Sequence, residues 1–177
     1  NSMHIDFLSK INNPIGMKIG PEFDIEDIHK IYNKLNPNHE IGKIIFIIRL
    51  GEKNIKNILP KIIKTVQYYG YEILWFCDPM HGNTIKSNHG YKTRNFNTII
   101  TELKDFFQIH KEAKTIPGGV HFELTGENVT ECLGGINNIQ DCDLDLRYET
   151  TCDPRLNNEQ SLEIAFLISE LIKNNGE

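Results

Sequence analysis

The run Lys43–Leu50 (KIIFIIRL) sets the tightest limit on how this chain can fold. Its β-branched residues fill consecutive positions instead of alternating with polar ones, so the strand it forms needs cover on both faces. Such strands belong to parallel sheets joined by crossover helices, and the segments around it fit that plan. Gly16–Gly20 (GMKIG) is a short extended segment after Pro14, and a helical pattern runs from Asp24, as N-cap, to about Leu35. The stretch IKNILPKIIKTVQYYG predicts a helix bent or restarted at Pro60 and closed by Gly70. Glu72–Cys77 (EILWFC) is the next strand, followed by a polar loop to about Arg94 and a helix over TIITELKDFFQIHKEA. Gly119–Thr125 (GVHFELT) reads as another strand, Asn137–Arg147 as an ambiguous segment with short-helix character, and Tyr148–Cys152 as a last short strand. Asn157 and Gln160 then open a final helix as a capping pair.

This βαβα order leaves an open doubly wound sheet or a (β/α)8 barrel. No G-x-G-x-x-G or Walker loop follows any strand, so nucleotide binding has no positive support. With 39% hydrophobic residues over 177 positions, residues 1–177 are expected to form a single domain with a real core. Asn1 and Ser2 ahead of Met3 suit a cloning remnant. A formal charge of -5 without any Lys/Arg block argues against a nucleic-acid-binding role. Apolar runs such as Ile44–Ile48 are far too short for a bilayer, and NSMHIDFLSK lacks the features of a secretion signal. Cys77, Cys132, Cys142 and Cys152 form no C-x-x-C pair and read as free thiols of a reducing cytoplasm, or of a plastid if the source is a plant.

A residue of catalytic type stands at or just after the end of each strand: Lys18, Arg49, His81, Glu123 and Asp153. They recur at steps of roughly 30 to 40 residues, about one βα unit, as on the active face of a barrel. Lys18 and Arg49 are cations suited to a phosphate or carboxylate, the arginine by two parallel hydrogen bonds and the lysine as a point charge. His81, Glu123 and Asp153 are an N,O,O set that suits a divalent metal acting as Lewis acid. His4, His29, His39, His89 and His110 read as structural. His121, two before Glu123 and so on the same strand face, reads as an interior residue, packed or supporting the metal. The loop HGNTIKSNHGYKTR, with Lys86, Lys92 and Arg94, is either a solvated loop or a substrate-closing one, and the glycines of TGENVTECLGG either admit a ligand or only make turns.

The segments WFCDPMHGNT (75–84), GYKTR (90–94), GGVHFELTGENVTECLGG (118–135) and YETTCDPRLNNEQSLEIAFLISE (148–170) closely resemble the type II, plant-like 3-deoxy-D-arabino-heptulosonate 7-phosphate (DAHP) synthases. NPIGMKIGP (13–21) and IIFIIRLG (44–51) resemble the same family's preceding segments, so the likeness covers nearly the whole chain after Met3. Those enzymes are (β/α)8 barrels that open the shikimate pathway to aromatic amino acids, condensing phosphoenolpyruvate with erythrose 4-phosphate with the help of a divalent metal.

The resemblance implies an α/β fold, a partial (β/α)8 TIM-type barrel of about five C-terminal βα units. It implies phosphoenolpyruvate-holding, catalytic roles for Lys18 and Arg49, metal ligation by His81, Glu123 and Asp153 (His81 catalytic as well), and manganese, cobalt or a similar ion as cofactor. The family's fourth metal ligand is a cysteine of the first barrel strand, a part not contained in this sequence, and none of the four cysteines here takes its place. Cys152 is expected to point away from the site if the strand persists to Asp153. A complete barrel takes roughly 250 residues. A five-stranded partial barrel has two open edges and an apolar interior, so the expected partner is a second copy or the missing N-terminal segment. Two functions follow from the resemblance: a transferase of the DAHP synthase type, active once completed, or a truncated, non-catalytic or regulatory module binding phosphoenolpyruvate, metal or a partner synthase.

Overall fold

The computed structural model describes residues 2–175. Helix α1 (Ser2–Leu8) leads into strand β1 (Ile15–Ile19), helix α2 (Asp27–Leu35), strand β2 (Ile44–Ile48), helix α3 (Ile55–Tyr69) and strand β3 (Leu74–Cys77). Two short strands, β4 (Thr84–Lys86) and β5 (Lys92–Arg94), precede helix α4 (Phe96–Ala113) and strand β6 (Pro117–Val120). A 3₁₀ helix (Asp141–Leu146) and helix α5 (Asn158–Asn175) complete the order. Strands β1, β2, β3 and β6 form one parallel sheet in that sequence, with Lys18 beside Ile47, Ile47 beside Phe76 and Phe76 beside Gly119. The architecture is therefore α/β with a parallel sheet. None of its helices is long and apolar enough to cross a membrane, among the described residues.

The β2 run explains the layering. Ile44, Phe46 and Ile48 are buried and join Ile62, Ile63, Leu103 and Phe106 from α3 and α4 in one core. Burying such side chains contributes roughly 1.5–3 kcal/mol each. Ile45 and Ile47 point the other way and are only half-buried, as is Phe76, while Leu74 on the same face is exposed. The helix side is thus a finished core, and the opposite face is apolar but incompletely covered.

Several sequence expectations shift. The expected fifth strand, Tyr148–Cys152, is not a strand: its backbone amides turn instead to side-chain acceptors, Glu149 and Thr150 to Glu131 and Cys152 to Thr150. Sheet-like pairing in this region is confined to a single parallel bridge, Leu124 to Leu156. Among the described residues the parallel sheet therefore has four strands rather than five. The strand expected over Gly119–Thr125 lies earlier, at Pro117–Val120, and only one further ladder bond, His121 N to Cys77 O at 2.8 Å, extends it. The polar loop before Arg94 is an antiparallel hairpin, with Thr84 opposite Arg94. Helix α3 runs unbroken through Pro60 and closes at Gly70, whose φ is +67°. The Asp24 turn caps Glu26 N at 3.0 Å, and the α-helix proper starts at Asp27.

Two contacts at the C-terminal ends of β2 and β3 lock the loops there. Gly51 and Gly82 meet backbone to backbone, so closely that a Cβ on Gly82 would stand 2.4 Å from Gly51 N. Glu102, buried on α4, accepts from Leu50 N (3.1 Å), Gly51 N (2.8 Å) and Asn83 Nδ2 (2.7 Å).

Candidate active site

The C-terminal edge of the sheet carries the first half of the site. Lys18 on β1, Arg49 just after β2 and Asp78 just after β3 share the sheet face of Ile47 and Phe76, because side chains alternate along each strand. The Asp78 carboxylate is fully buried and accepts from Lys18 Nζ at 3.0 Å, from the backbone N–H groups of Met80 and His81 at 3.1 Å each, and from His81 Nδ1 at 2.8–2.9 Å. Burial alone would raise its pKa, but these bonds from His81 and Lys18 outweigh it and hold Asp78 below the ordinary carboxylate range. The sequence reading missed Asp78, although its place three residues before His81 at a strand end is the signal that identifies it.

The second half sits on irregular chain. With Nδ1 engaged by Asp78, His81 turns Nε2 toward Glu123 Oε1 at 3.3 Å and Asp153 Oδ2 at 3.6 Å. Arg94, wholly buried at the end of the hairpin, holds Glu123 Oε2 through Nη1 at 2.6 Å and places Nη2 3.5 Å from Asp153 Oδ2. Lys92 of the same hairpin binds Asp153 Oδ1, and this pairing holds the Asp153 carboxyl below its usual range. The hairpin loop therefore brings its cations onto the two carboxylates, a placement its sequence alone left open.

Three of the five sequence candidates, His81, Glu123 and Asp153, come together with one donor atom each inside a 4.8 Å group. A second group of the same size joins Asp78, His81 and His121, so His121, read from sequence as packed or supporting the metal, stands beside His81. Lys18 reaches the site too, with Nζ 3.5 Å from His81 Nδ1. Arg49 stands on the same sheet face, and its buried Nε has no hydrogen-bond partner. The donor set fits a divalent cation. It is nitrogen and carboxylate oxygen, and the histidine's far nitrogen is fixed by a carboxylate that leaves Nε2 as the open ligand atom. Among the described residues no cysteine joins either group. Cys77 and Cys132 are buried, and burial pushes the Cys77 thiol up strongly and the Cys132 thiol up to about 12. His110 is structural as expected. It packs against Phe106 with ring centroids 4.4 Å apart, and burial lowers its pKa to about 4, so it is neutral.

The family described as the class-II DAHP synthetase family matches residues 1–169. The chain is similar to the phospho-2-dehydro-3-deoxyheptonate aldolase AroG of Mycolicibacterium smegmatis, with 50% identity over 170 residues covering 96% of this chain and 37% of that protein. It is similar as well to the phospho-2-dehydro-3-deoxyheptonate aldolases of Streptomyces coelicolor (47% identity, 96% of this chain, 38% of that protein) and Neurospora crassa (46% identity, 94% and 35%). The chain thus spans a little over a third of the length of the curated relatives it matches.

Proposed function

The chain belongs to the class-II DAHP synthetase family, and on that premise we propose that it forms part of a (β/α)8 barrel that condenses phosphoenolpyruvate with erythrose 4-phosphate. The observation that carries this reading is the double engagement of His81, tied through Nδ1 to Asp78 and facing Glu123 and Asp153 through Nε2. In this reading His81, Glu123 and Asp153 hold a divalent metal such as manganese or cobalt. Bound there, the ion supplies Lewis acidity to the aldehyde oxygen of the four-carbon sugar.

The chain's own residues do the rest. Lys18 and Arg49 hold phosphoenolpyruvate on the sheet face beside the metal ligands and offset its negative charge, with the unpartnered Arg49 Nε directed to an anionic oxygen. Asp78 keeps the His81 proton on Nδ1 and so fixes which ring nitrogen stays free. Arg94 holds the Glu123 carboxylate in place, and Lys92 pairs with Asp153 and keeps it ionised. The enol carbon of phosphoenolpyruvate bonds to the aldehyde carbon, water adds at the cationic carbon left behind, and phosphate departs. The half-covered face with Ile45, Ile47 and Phe76 is closed by further strands or by a second copy, and the assembly works in the cytoplasm.

A second reading rests on the donor set itself: three ligand side chains and no thiolate among the described residues suit a module that holds metal or phosphoenolpyruvate without turnover. One assay separates the two. Purified protein with manganese or cobalt should consume phosphoenolpyruvate only when erythrose 4-phosphate is present, and His81→Ala should abolish this. Consumption no greater than in His81→Ala, by the chain alone and by the chain joined to the strands that complete its barrel, retires the synthase, and manganese binding without turnover then supports the module.

A further inference from the structure

Asp153 sits on a segment without a strand or helix to place it, yet its carboxylate meets His81 and Arg94. A buried acid outside the site accounts for this. Glu131 has no exposed surface, and its two oxygens accept five hydrogen bonds, all from the segment that carries Asp153. Oε1 takes Glu149 N (3.2 Å), Thr150 N (2.8 Å) and Arg155 Nη2 (2.6 Å), and Oε2 takes Arg155 N (2.8 Å) and Nε (3.0 Å). The donors lie on both sides of Asp153. The bight between them is tightened by Thr150 Oγ1, which donates to Asp153 O at 2.9 Å.

We propose that Glu131, gripped by Arg155, is a positioning residue that bends segment 149–155 into the loop presenting Asp153 to His81 and Glu123. The inference rests on the reading of those three residues as a metal site. A carboxylate is required because every donor is an N–H group and two belong to a guanidinium, so a group able only to accept satisfies all five. Glutamine in its place would turn an NH2 toward two or three of these donors. The Glu131 side chain touches no reacting group and acts only through the loop.

Amide hydrogen exchange combined with manganese titration by electron paramagnetic resonance tests the inference. In Glu131→Gln and Arg155→Lys, the amides of Glu149, Thr150 and Arg155 should exchange faster, while Asp78 N, bonded to Ile48 O in the sheet, keeps its protection. Manganese affinity should fall by about 10- to 100-fold in Glu131→Gln, the usual cost of losing an outer-shell support, and by less in Arg155→Lys, which keeps the backbone bond. Unchanged exchange at the three amides overturns the proposal, and so does faster exchange with undiminished manganese affinity. Should Glu131→Gln fail to fold, Arg155→Lys decides by the same two readings. Wild-type protein that bound no manganese would defeat the metal reading, and the exchange data would still decide whether Glu131 shapes the loop.

Discussion

Lys18, Arg49 and Asp78 on one side of the site, and Glu123 and Asp153 on the other, are held in place by different physics. The first three extend strands that hydrogen-bond to each other in parallel register over a buried core. Their positions follow from a ladder of backbone bonds and from apolar packing, both spread over many residues. Glu123 and Asp153 stand where the sheet has given out; one bridge, Leu124 to Leu156, joins their two segments to each other, and two buried charges hold them further, Arg94 on Glu123 and Glu131 on Arg155. Placement by register tolerates single changes, because no one contact decides it. Placement by a buried polar network concentrates the decision in a few groups whose loss leaves an uncompensated charge.

Glu131→Ala should break the second side most severely. It leaves three backbone N–H groups without their acceptor at about 1–3 kcal/mol each, a loss of at least about 3 kcal/mol, while the partly exposed Arg155 guanidinium turns to water. A denaturant midpoint lowered by less than a quarter of that amount would show the network to be dispensable. Glu102 tests the first side by pH. Burial raises its pKa from 4.5 to about 7 although Gly51, Asn83 and Leu50 all donate to it. The folded form therefore binds this proton more tightly than the unfolded chain. The resulting stability, about 3 kcal/mol, is complete below pH 4.5 and is lost as pH rises through 7. Urea unfolding of wild type and Glu102→Gln between pH 4.5 and 8 should show this slope only in the wild type; parallel curves would contradict it.

The same division decides what the sequence made legible. The unbroken apolar run of β2 specified a parallel strand, which the structure buries on one face and half-covers on the other, and the place of Arg49 just past its end followed from it. Asn157 and Gln160 form the expected reciprocal cap, with Gln160 N on Asn157 Oδ1 at 2.9 Å and Asn157 N on Gln160 Oε1 at 3.2 Å. Tyr148–Cys152 carried strand-like residues but folds as a loop, because Glu131, 18 and 19 residues upstream of the two amides it accepts, is a buried acceptor that no local pattern displays. The partners of Glu123 and Asp153 were equally hidden. Lys92 and Arg94 are ordinary loop cations in sequence, and only the hairpin pairing of Thr84 with Arg94 turns them inward.

Gly82→Ala sharpens the first side at closer range. The new methyl group would meet Gly51 N and Cα, which are backbone and cannot swing aside, so the loops carrying Arg49 and His81 must part. Overpacking of this kind costs about 2 kcal/mol. Manganese affinity should fall with it, since His81 directly precedes the altered residue; a thermal midpoint equal to wild type would mean that the two loops are not in contact.

Gln160→Ala has the smallest expected effect and divides the second side most finely. Gln160 caps α5 and donates through Nε2 to Cys132 O at 3.1 Å and Gly134 O at 3.2 Å, so it belongs to the same irregular region as Glu131. Its bonds, however, run to the start of α5 and to residues 132–134, and none reaches segment 149–155. Loss of the cap should cost about 1 kcal/mol, read as a lower denaturant midpoint, while manganese affinity and the exchange of the Thr150 amide stay at wild-type values. That outcome would separate support of the helix from support of Asp153. A fall in manganese affinity comparable to that of Glu131→Gln would mean instead that the region moves as one cooperative unit, in which no single carboxylate positions Asp153 and the contrast with the strand-held side lies in the whole segment.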